Sequence, residues 1–188
     1  MTIGIRGGFY FYTMQKSKHL ALILCLLIFS QYLRAQEAEF KRHKIMVVLG
    51  HAMTPEGLNV DGKKTFLFLP SWGVDYDYRI NEKWSVGIHT DIIIENFAFE
   101  DPNEIIQERS TPLALVVTGG YRIGEHLTAF LGAGAELAKE ENLTVVRVGA
   151  DYGWEVGKDW EVAVNYMIDF KIDAYNTGVF GVGIARSL

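Results

Sequence analysis

Residues 160–170 read Trp160-Glu161-Val162-Ala163-Val164-Asn165-Tyr166-Met167-Ile168-Asp169-Phe170. Trp160, Val162, Val164, Tyr166, Ile168 and Phe170 share one parity; Glu161, Ala163, Asn165, Met167 and Asp169 share the other. Successive side chains of an extended chain point to opposite faces, so this period of two predicts a strand with one wholly apolar face. Residues 84–95 repeat the pattern. Trp84, Val86, Ile88, Ile92 and Ile94 lie on the apolar side, interrupted only by Thr90, and Ser85, Gly87, His89, Asp91 and Glu95 lie opposite, with Ile93 as the exception. Beyond residue 36 no stretch carries convincing helical periodicity, apart from a short run at Ile105 and Ile106.

A local repeat sets how the strands connect. Tyr78-Arg79-Ile80-Asn81-Glu82-Lys83-Trp84, Tyr121-Arg122-Ile123-Gly124-Glu125-His126-Leu127 and Trp154-Glu155-Val156-Gly157-Lys158-Asp159-Trp160 share one plan. Each carries Asn or Gly at its centre, residues that tolerate positive φ, so each predicts a tight turn. Three-residue loops would set Tyr78 opposite Trp84, Tyr121 opposite Leu127 and Trp154 opposite Trp160, all favourable cross-strand pairs. Longer polar connections fall at 52–64, 96–111, 139–142 and 171–176. The expectation is eight strands near 43–51, 65–79, 83–97, 112–123, 126–138, 143–155, 159–170 and 177–187.

The N-terminal region has a different character. Lys16 and Lys18 precede a ten-residue apolar run over 20–29, and Ala35 offers a small residue for cleavage before Gln36. The run is too short for a membrane helix, which needs about 20 apolar residues, and predicts a cleavable secretory signal over 1–35, with Met14 as an alternative start. Residues 36–42 would be a short lead-in and 43–188 the folded domain. Cleavage removes Arg6, Lys16, Lys18 and Arg34 and no acid, taking the formal charge from -5 to -9. Such a balance argues against nucleic acid as a partner. The single cysteine, Cys25, lies inside the apolar run, so neither an internal disulfide nor a cysteine-rich zinc site is expected.

Trp and Tyr mark the turn ends of the apolar face and aliphatic residues fill its middle, as on strands that face lipid. With the signal, the strand count and the alternation of short turns with longer loops, residues 43–188 resemble the small eight-stranded outer-membrane β-barrels of Gram-negative bacteria, the broad group containing the outer-membrane protein A transmembrane domain. The resemblance implies an all-β, closed antiparallel eight-stranded transmembrane barrel located in the cell outer membrane. It also implies outer-membrane lipid and the barrel assembly machinery as partners. That group usually ends on an aromatic residue, where this chain has Leu188. A soluble secreted lipocalin-like barrel is the alternative fold, with its apolar faces turned inward.

On the membrane reading the other face lines a lumen too narrow for anything but side chains. Asp75, Asp77, Arg79, His89, Asp91, Glu95, Arg122, Glu136, Arg147, Asp151, Glu155, Glu161 and Asp169 would meet there, and buried charges must pair. Arg147, set between the strands bearing Glu136 and Asp169, is expected to be a hub joining both carboxylates, with Asp151 in the same network. His89, Asp91 and Glu95 form a weaker candidate for general-base chemistry or metal binding. An envelope-lipid hydrolase or acyltransferase, the enzymatic alternative, would need such a histidine beside a nucleophile, for which Ser71 and Ser85 are the neighbours on offer. The acidic stretch 95–109 reads as a solvated loop, or as a site for a divalent cation or another loop-bound ligand. The function expected is therefore non-enzymatic, with no cofactor, no catalytic residue and no metal: a plugged, ion-paired barrel serving envelope integrity or loop-mediated binding.

Overall fold

The structure is a computed structural model and describes residues 40–188. The expected signal peptide over 1–35 and all but the end of the lead-in lie outside the described residues. The chain forms β1 (His43–Leu58), β2 (Lys64–Arg79), β3 (Trp84–Ile93), β4 (Phe97–Glu100), β5 (Ile106–Arg109), β6 (Leu113–Ile123), β7 (Leu127–Leu137), β8 (Leu143–Gly157), β9 (Trp160–Lys171) and β10 (Asn176–Ser187). Eight of them, all but β4 and β5, pair antiparallel with their neighbours, and β10 pairs back onto β1. The sheet is closed. Following partners from His43 through Tyr78, Val86, Gly119, Leu131, Val148, Ile168 and Gly178 returns to β1 at Met53, ten residues further along the strand. Such a stagger is what tilted strands need in order to close.

The three repeats form the short turns, displaced along the chain from the expected centres, and only the third, where Gly157 lies opposite Trp160, is shorter than three residues. Tyr78 lies opposite Val86, Ile123 opposite Leu127, and Trp154 opposite Val162, so each expected pairing is shifted by two residues. A shift of two preserves parity, which is why the facing survives the error. The Asn81 side chain accepts the Lys83 and Trp84 amides at 2.9 Å each. Gly124 takes φ of 69°. In the third turn the left-handed residue is Asp159, with φ of 70°, and Gly157 is the last residue of β8 beside a bulge. The aromatic residues converge around this end: the Trp84 and Tyr121 rings meet tilted at 4.7 Å and those of Tyr152 and Trp154 at 4.8 Å.

Two connections depart from the expectation. Most of 52–64 is strand, because β1 and β2 continue pairing to Leu58 and Lys64. The stretch 96–111 is a β-hairpin, β4 with β5, joined to β1 where Phe99 lies opposite Gly57. Ile106 opens β5 and belongs to no helix.

Facing follows the alternation. Ile88, Val117, Val148, Phe180 and Ile184 are exposed outside, while Arg147, Asn165, His89 and Asp169 are buried inside. The lipocalin-like arrangement is excluded, since its apolar faces would point inward. Thr90, the polar interruption in the outer face, is satisfied locally: its hydroxyl donates to the Val74 carbonyl at 2.6 Å and accepts the Val74 amide at 3.0 Å. β2 and β3 approach so closely here that a Cβ at Gly73 would stand 2.0 Å from the Thr90 carbonyl oxygen. Ile93, the exception on the polar face, is buried with Phe97, Phe99, Phe130, Met167 and Tyr175 in an apolar cluster within the loop-side half of the barrel.

Candidate functional site in the lumen

Inward-facing polar residues form tiers along the barrel. Near the turn end Lys44 bonds Glu161 at 2.8 Å. Above it His89 meets Asp77 at 3.2 Å, Asp75 accepts the Thr90 amide at 3.1 Å, and Asn165 donates to Asp151 at 2.6 Å. Further up, Arg147 is fully buried and grips Asp169 through Nε at 2.6 Å and Nη2 at 2.7 Å. The register places Arg147 directly opposite Asp169, not diagonal to it. Two parallel charge-assisted bonds are the strongest form of such a contact.

Glu136 does not join Arg147. The β7–β8 register sets Arg147 against Gly132 and Glu136 against Leu143, four residues away along the strands. Glu136 instead accepts from Arg109 Nε at 3.1 Å and from Arg109 Nη2, and from the Tyr175 hydroxyl at 2.8 Å. Lys171 Nζ lies 3.3 Å from its second oxygen. Lys171 also donates to Thr177 at 2.7 Å and sits 4.3 Å above the Tyr175 ring. One carboxylate thus binds two cations and a phenol, and the hub of the loop end is Glu136.

Arg109 reaches the knot because β5 folds over the barrel mouth. In the hairpin register Arg109 faces Phe97 and Gln107 faces Phe99, and Phe97 and Phe99 pack on Tyr175 at 5.3 and 4.5 Å. Arg109 Nη1 donates to the Glu141 carbonyl at 2.9 Å, and Ser110 donates to Glu140 at 2.6 Å. The connections after β3, β7 and β9 are therefore tied together at one point. The sequence hinted at this only through alternation in Phe97-Ala98-Phe99 and a lone Arg109 in an acidic stretch.

The weaker candidate does not assemble. His89 and Asp91 are buried inside the barrel, but Glu95 lies beyond the end of β3 and is exposed. Ile94, Glu95 and Asn96 are all exposed, so alternation has stopped there. Glu155 is likewise exposed at the turn end. Among the described residues no cluster of three His, Cys, Asp or Glu side chains is arranged to hold a metal ion. Several buried polar atoms have no partner among the described residues, including His89 Nδ1, Arg147 Nη1, Asn165 Oδ1 and Thr118 Oγ1.

The outside is the complement of this interior. Large apolar side chains are exposed on all eight barrel strands, from Tyr76, Trp84 and Trp160 at the turn end to Phe66, Phe68 and Phe170 towards the loops. Water does not tolerate so continuous an apolar belt, and a bilayer requires it, together with a sheet that leaves no open edge. The fold is that of a small outer-membrane β-barrel. Solved structures of similar form include the attachment invasion locus protein Ail of Yersinia pestis (16% identity, 78% of this chain and 99% of that chain, TM-score 0.47). Neisserial surface protein A is similar at 12% identity over 78% of this chain and 97% of that chain, with a TM-score of 0.46. OprG of Pseudomonas aeruginosa is similar at 12% identity over 80% and 99%, also with a TM-score of 0.46. No family model matches the chain, and no curated protein does. The assignment rests on the closed register and the belt of this chain itself.

Proposed function

We propose that this is a non-enzymatic barrel of the Gram-negative outer membrane whose lumen is sealed on the outer side, serving envelope integrity or binding through its loops. The observation that carries the reading is the knot of Arg109, Glu136, Lys171 and Tyr175 beneath the β4–β5 hairpin, inside a barrel with an apolar exterior. Eight strands leave an interior just wide enough for side chains, and here they bind one another. Lipid is the partner of the belt, and insertion calls for the barrel assembly machinery.

The outer loops are largely committed to their own structure. Asp101 accepts the Asn103 and Ile105 amides and the Gln107 side chain, Glu140 accepts from Ser110, and Glu100 pairs with Lys64 at 3.0 Å. A loop-bound ligand or divalent cation would draw instead on Glu95, Glu104 and Glu108, which are exposed and make no side-chain hydrogen bond among the described residues. The test is envelope fractionation with an SDS gel run boiled and unboiled, followed by planar-bilayer recording. The expected results are a boiling-dependent mobility shift in the outer-membrane fraction and no conductance steps for the native protein, with steps appearing in Glu136→Gln. Recovery from the soluble fraction would overturn the location, and steady native conductance would overturn the seal.

A further inference from the structure

The proposed seal lies at the loop end of the lumen. At the turn end a vestibule of about 50 Å³ opens between the short turns, and its walls include Arg79, Arg122 and Glu155, charges that the tiers above do not use. Arg79 on β2 lies opposite Ser85 on β3, and the Arg122 amide of β6 bonds the carbonyl of Lys83, just before β3, so the two arginines flank Ser85. Both are half-buried, and neither forms an ion pair among the described residues. Arg122 Nη2 is steadied by the Glu125 carbonyl at 2.6 Å. Facing strands carry the opposite sign: Glu155 on β8 lies directly opposite Glu161 on β9. Like charges in register are unfavourable, and only Glu161 has a cation, Lys44.

The space between these pairs is made by glycine. A Cβ at Gly120 would stand 2.5 Å from Ser85 Oγ, and one at Gly153 would stand 2.1 Å from Glu161 Oε1. Other lumen carboxylates nearby are already engaged, Asp77 with His89 and Asp151 with Asn165. Lys44, which is paired with Glu161, and the turn residues Glu82, Lys83 and Glu125 also line the space. Deeper in, two guanidiniums and a hydroxyl on one wall, with two carboxylates on the other, complement a molecule that carries an acid group and an ammonium a few bonds apart. A simple anion would face Glu155, which has no cation partner among the described residues, and a simple cation would face Arg79 and Arg122. We propose that the periplasmic vestibule binds a small zwitterion, its phosphate or carboxylate on Arg79 and Arg122 and its ammonium on Glu155 and Glu161. The site does not depend on the outer seal.

O-phosphoethanolamine is the probe, titrated by calorimetry into the full-length folded barrel in maltoside, a detergent that carries neither charge. Folding of each variant is checked by its unboiled gel mobility. Saturable one-site binding is expected, at least tenfold tighter than inorganic phosphate, and Arg79→Gln and Arg122→Gln should each weaken it at least tenfold. Glu155→Gln should remove most of the preference over phosphate while leaving phosphate binding intact. Native barrels in phosphatidylethanolamine and phosphatidylglycerol nanodiscs distinguish the source: competition against the probe only in the former means a lipid headgroup, and equal binding in both means a free solute. No saturable binding to folded native protein, equal affinity for phosphate and phosphoethanolamine, or unchanged binding in folded Arg79→Gln and Arg122→Gln would each overturn the proposal.

Discussion

Arg147 and Glu136 show how a buried charge is best judged by what its removal strands. Arg147 and Asp169 are both sealed from solvent, and taking away one leaves the other uncompensated, at a typical cost of about 3–5 kcal/mol. Arg147→Ala should therefore destabilise the barrel by about that amount, reduced where water enters the lumen, and adding Asp169→Asn should restore part of it. Adding Glu136→Gln should restore nothing, because Glu136 answers to Arg109 and Lys171. Urea unfolding of the three variants in bilayers reads this directly; rescue by Glu136→Gln would mean that Arg147 serves both acids. A second prediction concerns the loops. The Ile105 backbone amide, then the Asn103 backbone amide and the Gln107 side chain, hold the Asp101 carboxyl below the usual carboxylate range. A lowered folded value means that the loop's stabilisation is complete above the ordinary aspartate range and is lost as pH falls through the lowered value. The Ile105 amide resonance should titrate below that ordinary range; a midpoint at the ordinary value would show that the turn does not hold the carboxylate.

In the proposed function the β4–β5 hairpin is the element that closes the outer end of the barrel. Phe99 is fully buried against Tyr175, and a truncation of that size typically costs about 3–5 kcal/mol. Here the loss should fall on hairpin docking while the eight-stranded sheet stays intact. Phe99→Ala should expose the connection between β4 and β5 to protease in folded, heat-modifiable protein; unchanged resistance would mean that the hairpin is held without it. The barrel strands were legible because both sides of each strand face a uniform environment, lipid or lumen, over ten residues or more. The hairpin was not, because two four-residue strands present too few alternations to stand out from a polar loop. The tiers inside the lumen were half legible for a related reason. Parity says which residues face inward, but pairing depends on register, and a shift of two residues preserves every face while changing every partner. The β8–β9 register sets Asp169 against Arg147, whereas the β7–β8 register keeps Glu136 four residues away from it.

Across the whole molecule polarity is reversed from that of a soluble protein, with the apolar belt outside and the charges within. The single cysteine of the chain precedes the barrel, so a spin label can be placed at each position of β9 in a Cys25→Ser background. The decisive measurement is a nitroxide scan of residues 160–171 in bilayers, comparing accessibility to oxygen, which concentrates in lipid, with accessibility to a water-soluble nickel complex. The expected result is a period of two, with oxygen dominant at 162, 164, 166, 168 and 170 and low for both reagents at 163, 165, 167 and 169. The opposite phase, or nickel access dominant along the outward positions, would contradict a barrel that crosses the membrane.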